Sequence, residues 1–568
     1  MAFGKLGIIG RTYRHVRRYR QILTVFFKYG FGDLLERLHL NPIKDLGRKL
    51  LPQQEGAYEL HSRAERIRMA IEELGPTFIK MGQILSTRPD LLPVELLEQM
   101  EKLQSDVPAF PMEDVRAIVE EELDAPLDTI FDRFDETPLA AASIAQVHRA
   151  RLAGSHDDVV VKIQRPNVDE MIEVDLEILA HLAALMEKYV EGLDAQRPTK
   201  IIQELAAGIE QELDFEVESA HMERFTAQFE DDPTIHVPKV CRNHSTQRVL
   251  TMEYIEGVRP SNLEALRTQG YDLKRIAHQG ADLLMRQIFE FGFFHGDPHP
   301  GNLFVMPGHV LCYLDLGMTG RLNRMMKERF ADLVVAVGRR DPEKTASALV
   351  TLAPPDEDDA LDLDMEGLER DVAEFLDRHF YRPIREVRFG AMMRELFLMA
   401  TRYRLRVPAN IYMMLKALAT WESLARQLDP DFDIAQETRP FVEKLQWDRL
   451  RPARITNQLV ESGFEMAVLL KEIPGQLREI MQQAKRGRIK IEFEHRGLEP
   501  MLEKNDQISN RLAFSIVLSA LVIGSSLMVL AKVPPLWNEI PLIGLGGFLF
   551  AGIMGFWLLI SIIKHHQL

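Results

Sequence analysis

Two stretches near the C-terminus, "LAFSIVLSALVIGSSLMVLA" (512–531) and "PLIGLGGFLFAGIMGFWLLISII" (541–563), contain no charged residue. At 1.5 Å per residue a helix of about twenty such residues is about 30 Å long, the depth of a bilayer's hydrocarbon core. Between them "KVPPLWNE" supplies two prolines, a tryptophan and two charges, which suits a turn at a membrane interface. Gly547, Ala551 and Gly555 recur at four-residue spacing, so two helices could approach closely there. The pattern predicts a transmembrane helical hairpin. Basic residues lie mainly on its outer flanks (Arg496, Lys504, Arg511, Lys564), with Lys532 in the turn, and this bias places both ends on the cytoplasmic side.

The remaining chain is long enough for several units, at 568 residues in all. A net charge of −16 and a pI near 5.6 argue against a nucleic-acid binder, which needs clustered Lys and Arg. The acidity is an average. The first 32 residues contain no Asp or Glu, and "RTYRHVRRYR" (11–20) is dense in arginine; it reads as a solvated helix face or as a contact for anionic lipid headgroups. The apolar run "ILTVFF" (22–27) ends at Lys28 before a signal-peptide core is built, and the absence of serine from those residues disfavours a transit peptide. Cys241 and Cys312 are too few and too far apart for a disulfide framework or a zinc site, which fits a reducing compartment.

Periodicity changes along the chain. Residues 1–124 read as a basic segment and helices, among them "AERIRMAIEEL" (64–74) and "PVELLEQMEKL" (93–103). Over 125–256 strands appear: "QVHRARL" (146–152), a turn, "VVVKI" (159–163), and "RVLTMEYIEG" (248–257), with helices over 167–230. Residues 257–470 read as a helical body, 471–511 as a linker holding one alternating strand, "RIKIEFEH" (488–495), and 512–563 as the two membrane helices. The fold class expected is α+β.

The chemistry concentrates in "FFHGDPHPGNLF" (293–304) and "VLCYLDLGMTGRL" (310–322). Two short strands, 303–305 and 310–314, would bring Asn302 and Asp315 to one end of a hairpin, where two oxygens could hold Mg²⁺. Asp297, on the preceding loop, would orient a nucleophile toward a phosphoryl group. Lys162 stands in mid-strand, where a charge needs an anionic partner; Glu212, Asp214 and Glu218 on a helix over 211–225 are candidates. Glu253, Tyr254 and Ile255 fall where a strand leaving the sheet could offer backbone groups to an adenine. In "LGPTFIKMGQIL" (74–85) Lys80 and Gln83 share a helical face, and Lys80 in such apolar company also needs a carboxylate, with Glu212 and Asp214 as candidates.

Together these motifs resemble the UbiB/ABC1/ADCK family of atypical kinases over about residues 60–563. "KMGQ" (80–83) is similar to its KxGQ motif, "AAAS" (140–143) to its alanine-rich loop, "ELD" (212–214) to its ExD motif, and "HGDPHPGN" with "DLG" to its catalytic and metal loops. The resemblance implies a two-lobed, protein-kinase-like fold with an N-terminal helical extension that covers the usual substrate cleft. It implies ATP and Mg²⁺ as cofactors, with Asp297 and Lys162 catalytic. Ala140, Ala141, Ala142, Ser143, Lys162, Glu218, Glu253 and Ile255 would meet the nucleotide, Asn302 and Asp315 the metal, and Lys80, Gln83, Glu212 and Asp214 would regulate. It further implies support of ubiquinone biosynthesis at the bacterial inner membrane, with lipids, hydrophobic quinone precursors and quinone-biosynthesis enzymes as partners, and leaves a homodimer open.

Departures from ordinary protein kinases matter too. No G-x-G-x-x-G precedes Lys162; "PLAAASIAQVH" (138–148) stands there, and its methyl groups keep a backbone farther from phosphates than glycine would. Replacing Ala141 or Ala142 with glycine should therefore alter the balance of ATP and ADP binding. Gly296 replaces the arginine of H-R-D, no A-P-E follows, Ala145 stands where the family pattern has glycine, and Leu316 where phenylalanine is commoner. Other readings remain: a small-molecule or lipid phosphotransferase, a nucleotide-binding scaffold without catalysis, and a metal hydrolase built on His295, Asp297 and His299.

Overall fold

The computed structural model describes residues 8–31, 61–86, 88, 91–103, 108–189, 198–355, 363–380, 388–449, 499–532, 534–537 and 540–564. The chain divides into two compact units, Met1–Thr456 and Asn457–Leu568. The expected strand at 488–495 and the linker up to residue 498 lie outside the described residues, whereas 499–511, also expected as linker, is helical.

The first unit opens with helices α1 (Ile8–Lys28), α2 (Arg63–Leu74), α3 (Pro76–Leu85), α4 (Val94–Met100) and α5 (Met112–Leu123). Ser62 and Glu65 form a reciprocal capping box that starts α2. Arg18 of α1 reaches the fully buried carboxylate of Asp175 at 2.7 Å, so part of the basic segment serves packing.

An antiparallel sheet follows: β1 (Phe131–Phe134), β2 (Ala140–Ala141), β3 (Ala145–Leu152), β4 (Asp158–Gln164) and, after an excursion, β6 (Val249–Glu253), in the order β1-β3-β4-β6 with β2 on β3. Its period of two sorts the side chains. Val159, Val161 and Ile163 of β4 pack against Val115, Ile118 and Val119 of α5, which leaves Val160 and Lys162 to the opposite face.

The excursion holds α6 (Val168–Tyr189), α7 (Pro198–Leu213), α8 (Phe215–Gln228) and β5 (Ile235–His236). Here the expected continuous helix over 211–225 is corrected to two. Asp214 takes an extended backbone and its Oδ1 accepts from the Glu216 amide at 2.9 Å, capping α8; a short carboxylate that satisfies a free N–H favours a new start over continuation.

The second lobe contains α9 (Leu273–Met285), the short strands β7 (Phe293–His295), β8 (Leu303–Met306), β9 (Val310–Tyr313) and β10 (Thr319–Arg321), and helices α10 (Arg324–Gly338), α11 (Pro342–Leu352), α12 (Met365–Phe380), α13 (Phe389–Arg402), α14 (Ala409–Leu428) and α15 (Ile434–Arg449). The expected hairpin is present, with Leu303 opposite Tyr313. β9 also pairs in parallel with β5, Ile235 opposite Leu311, and β10 pairs with β7. The core of this lobe is almost wholly apolar, with Trp421, Phe330, Phe375 and Phe397 among its fully buried side chains.

The second unit consists mainly of α16 (Glu499–Leu530) and α17 (Leu542–Lys564). Leu512–Leu530 is long and apolar enough to cross a membrane, with mean hydropathy 2.3, and Leu542–Phe556 is a shorter apolar helical stretch. The small residues do face the partner helix: Gly547 sits against Ser525, Gly555 against Leu518, and Ala551 is buried.

Candidate functional site

The turn chemistry of "HGDPHPGN" sets the site. His299 Nδ1 accepts from the Gly301 amide at 3.0 Å, the Asn302 amide donates to His299 O, and Leu314 N donates to Asn302 O, both at 2.9 Å. Asn302 and Leu314 are thereby clamped at the open end of the β8–β9 hairpin. Asp315 comes next, with Oδ1 accepting from Gly317 N at 2.9 Å. On the other side, His221 Nδ1 of α8 lies 3.1 Å from Leu316 O, and Leu316 is fully buried, so leucine fills the place expected for phenylalanine.

Lys162 faces this hairpin from β4. Its ammonium is 2.7 Å from Glu218 Oε2 and 3.9 Å from Asp315 Oδ2. Of the three candidate partners, α8 thus offers Glu218, which is 5% exposed. Burial works against the charge on Lys162, but Asp315 and Glu218 outweigh it and hold the group firmly protonated. Burial pushes Glu218 up to about 7, against the pull of Lys162. The Asp315 carboxyl is also opposed by the surrounding protein, yet Lys162, the Gly317 amide and Lys80 keep it well below the usual aspartate range; its side chain is 44% exposed through the cleft mouth.

Lys162, Asn302 and Asp315 line one cleft of 810 Å³ between the sheet and the hairpin, whereas Glu218, expected to meet the nucleotide, is buried against Lys162 and is not part of that lining. Ala140, Ala142 and Ser143 form one wall, while Ala141 does not line it. This loop is a tight turn, Ala142 N donating to Ala145 O at 2.8 Å. It is braced from behind by Arg165, which donates to Ala142 O at 2.9 Å and to Pro108 O at 2.7 Å. At the far wall, Tyr254 N is taken by Asp158 O at 3.1 Å. The Glu253 carboxylate is turned to His236 Nε2 at 2.9 Å and Lys239 N at 3.1 Å. What Glu253 and Ile255 can offer there is backbone, as expected, and the Ile255 amide meets no acceptor among the described residues.

Lys80 and Gln83 also line the cleft. Lys80 Nζ is 2.8 Å from Glu212 Oε2, which decides between its two candidate partners: Asp214 is occupied as the α8 cap. Lys80 and Lys162 therefore do not compete for one helix, because the break at Asp214 gives each its own carboxylate. The Gln83 amide reaches Leu103 O at 3.3 Å. Glu101, further along the same extension, receives Arg394 Nη1 at 3.2 Å and the Tyr412 hydroxyl at 3.3 Å. The extension is tied to both lobes across the cleft. Lys80→Ala should cut one tie and let the extension open, raising nucleotide turnover several-fold without lowering the melting temperature. Phosphate release and thermal melting check this, and unchanged turnover would reduce Lys80 to packing.

Two features escaped the reading of motifs. Lys416 Nζ of α14 lies 3.5 Å from Asp297 Oδ2. The same helix bears on Gly296: a Cβ there would sit 2.5 Å from Met413 Sδ, so the arginine of H-R-D could enter only by displacing that flexible thioether. A lone lysine inside the apolar "IYMMLKALATW" (411–421) was the available signal for Lys416. Among the described residues no three of His, Cys, Asp and Glu form a metal-holding group. His295, Asp297 and His299 accordingly do different jobs, His295 Nδ1 lying 3.2 Å from Met318 O, and the metal-hydrolase reading has no geometry behind it.

A sheet lysine paired to a helix glutamate, facing an aspartate and an asparagine across a hairpin, defines a protein-kinase-like site. The comparisons make the class specific. An ABC1 atypical kinase-like domain matches residues 102–349, a UbiB helical domain 372–433 and an ABC1/UbiB kinase-like C-terminal domain 496–564. The chain belongs to this ABC1/UbiB family of atypical kinases. It is 32% identical over 541 residues to a "Probable protein kinase UbiB" of Aeromonas salmonicida, covering 94% of this chain and 97% of the relative. It is 33% identical over 550 residues to an "Uncharacterized protein in hydrogenase 1 5'region" of Clostridium pasteurianum, covering 97% and 99%. A solved structure described as the complex of Rv3197 with erythromycin from Mycobacterium tuberculosis is 25% identical, covers 64% of this chain and 92% of its own, and has a TM-score of 0.44.

Proposed function

We propose that this protein is a membrane-anchored atypical kinase or ATPase that binds MgATP and supports ubiquinone biosynthesis at the cytoplasmic face of the bacterial inner membrane. The observation that carries it is Lys162, paired with the buried Glu218 and 3.9 Å from Asp315, lining one cleft with Asp315 and Asn302. The Glu253–Ile255 backbone would meet the adenine, the Ala140–Ser143 turn and Lys162 the phosphates, and the oxygens of Asn302 and Asp315 the Mg²⁺. Two protein oxygens suit that ion, which keeps waters and takes phosphate oxygens for the rest. Mg²⁺ would supply neutralisation of phosphate charge. Asp297 would orient a hydroxyl or water and accept its proton.

The ties between extension and both lobes favour a small or lipidic acceptor, or water, over a protein docking in the cleft. Hydrophobic quinone precursors and quinone-biosynthesis enzymes are the partners this reading names. The uncharged runs 512–531 and 541–563 carried by α16 and α17 support anchoring as a two-helix hairpin, and the Lys and Arg flanking them support cytoplasmic ends.

Quinone profiling in a deletion strain tests the assignment. Wild type should restore ubiquinone and Asp315→Asn should not. Normal quinone without the protein would remove the pathway, and full rescue by the variant would favour a scaffold.

A further inference from the structure

Resting on the nucleotide-binding reading, we propose that Lys416 binds the terminal phosphate of ATP, so that a helix of the second lobe, not the catalytic loop, supplies the cation beside Asp297. The loop itself, 293–304, contains no lysine or arginine. Yet a terminal phosphate approaching Asp297 meets a carboxylate there and another at Asp315, and like charges at close range repel strongly in a partly desolvated cleft.

The other two lysines of the cleft are committed elsewhere. Lys162 is shared by Glu218 and Asp315, and Lys80 is paired with Glu212 at 2.8 Å. Arg259 lines the cleft on the connection after β6, beside the segment proposed to meet the adenine. Lys416 differs: its side chain is 17% exposed and, among the described residues, its ammonium has one carboxylate, at 3.5 Å, longer than a tight charge-assisted contact, and an ammonium has three donors.

Its placement is fixed by packing. Met413 and Lys416 are three apart and share a face of α14, Met413 lying on Gly296 and Lys416 on Asp297. The helix is held by the Trp421 indole N–H donating to Ala277 O at 3.2 Å and the Tyr412 hydroxyl to Glu101 at 3.3 Å. A cation so held can serve the phosphate that ATP has and ADP lacks.

Titration calorimetry of the full-length protein with MgATP and with MgADP reads this directly. Lys416→Met should weaken MgATP binding about tenfold or more, as loss of one charge-assisted hydrogen bond would, while leaving MgADP within about twofold. Lys416→Arg should keep most of the ATP affinity, and Lys416→Gln replaces the methionine variant if that one misfolds. Equal loss for both nucleotides, no loss, or an arginine variant as weak as the neutral one overturns the proposal while nucleotide binding stands. A wild type that binds neither nucleotide overturns both.

Discussion

Asp315→Asn is expected to lose the stabilisation that MgATP gives the wild type in a thermal-shift assay, whereas Asp297→Asn retains most of it. At a ligand concentration of 100 times the dissociation constant that stabilisation is about 2.7 kcal/mol, a shift easily measured. The difference between the two aspartates is electrostatic. Asp315 remains ionised because Lys162, the Gly317 amide and Lys80 outweigh its burial, so it offers a full negative charge where Asn302 offers a neutral oxygen. Asparagine would keep the Gly317 contact but not that charge. Asp297 instead lies beside Lys416 and, in the proposed reaction, would act on the attacking group. The unliganded fold should persist in Asp315→Asn, because Lys162 keeps Glu218 at 2.7 Å. The sign of the pH effect follows: a carboxyl held low adds stability above the ordinary aspartate pKa near about 3.9, and that stability fades as pH falls further. Equal MgATP stabilisation of wild type and Asp315→Asn would remove the metal role.

Gly280→Ala should be the most destabilising single methyl in the second lobe. Gly280 on α9 faces the ring of Trp421 on α14, and an added Cβ would overlap the indole. Trp421 is fully buried and its N–H is committed to Ala277 O on the same α9, so the ring cannot swing away without leaving a polar group unpaired. Overpacking costs about 1–3 kcal/mol, more where neither side yields, against about 1 kcal/mol that alanine contributes over glycine in a helix. A net loss of about 2 kcal/mol, read as a melting temperature lower by several degrees, is expected. Because α14 carries Met413 and Lys416 over the catalytic loop, nucleotide affinity should fall as well. Trimming the ring in Gly280→Ala/Trp421→Leu should recover part of the second loss; no coupling between the two sites would contradict the account.

The groups legible from sequence are those whose geometry is local. "GDPHPGN" and "DLG" carry their own turn chemistry, the apolar runs between them form β8 and β9, and alternation in "VVVKI" puts Lys162 on the face opposite Val161. Asp214 looked like one more carboxylate on a helix because capping depends on backbone that periodicity does not report. The choice of Glu212 for Lys80, and of Glu218 for Lys162, followed from that break. Lys416 and Glu101 were invisible for another reason. Each meets its partner across more than a hundred residues, Lys416 to Asp297 over 119 and Glu101 to Arg394 over 293, and no local spacing encodes such a meeting.

The parallel pairing of β5 with β9 has a consequence for control. In many kinases the helix bearing the glutamate swings as a separate body, and the lysine–glutamate pair forms or breaks with it. Here α8 runs into β5, β5 is stitched to the β8–β9 hairpin through Leu311 N and Thr234 O at 2.9 Å, and Gln279 bridges Thr234 O and His309 O at 2.9 and 2.8 Å. His221 secures the same helix to Leu316 O. Glu218 and Asp315 therefore ride on one frame, while Lys162 belongs to the sheet. In a chain built this way the glutamate and the hairpin aspartate move together, and any making or breaking of the lysine pair falls to the sheet rather than to the helix.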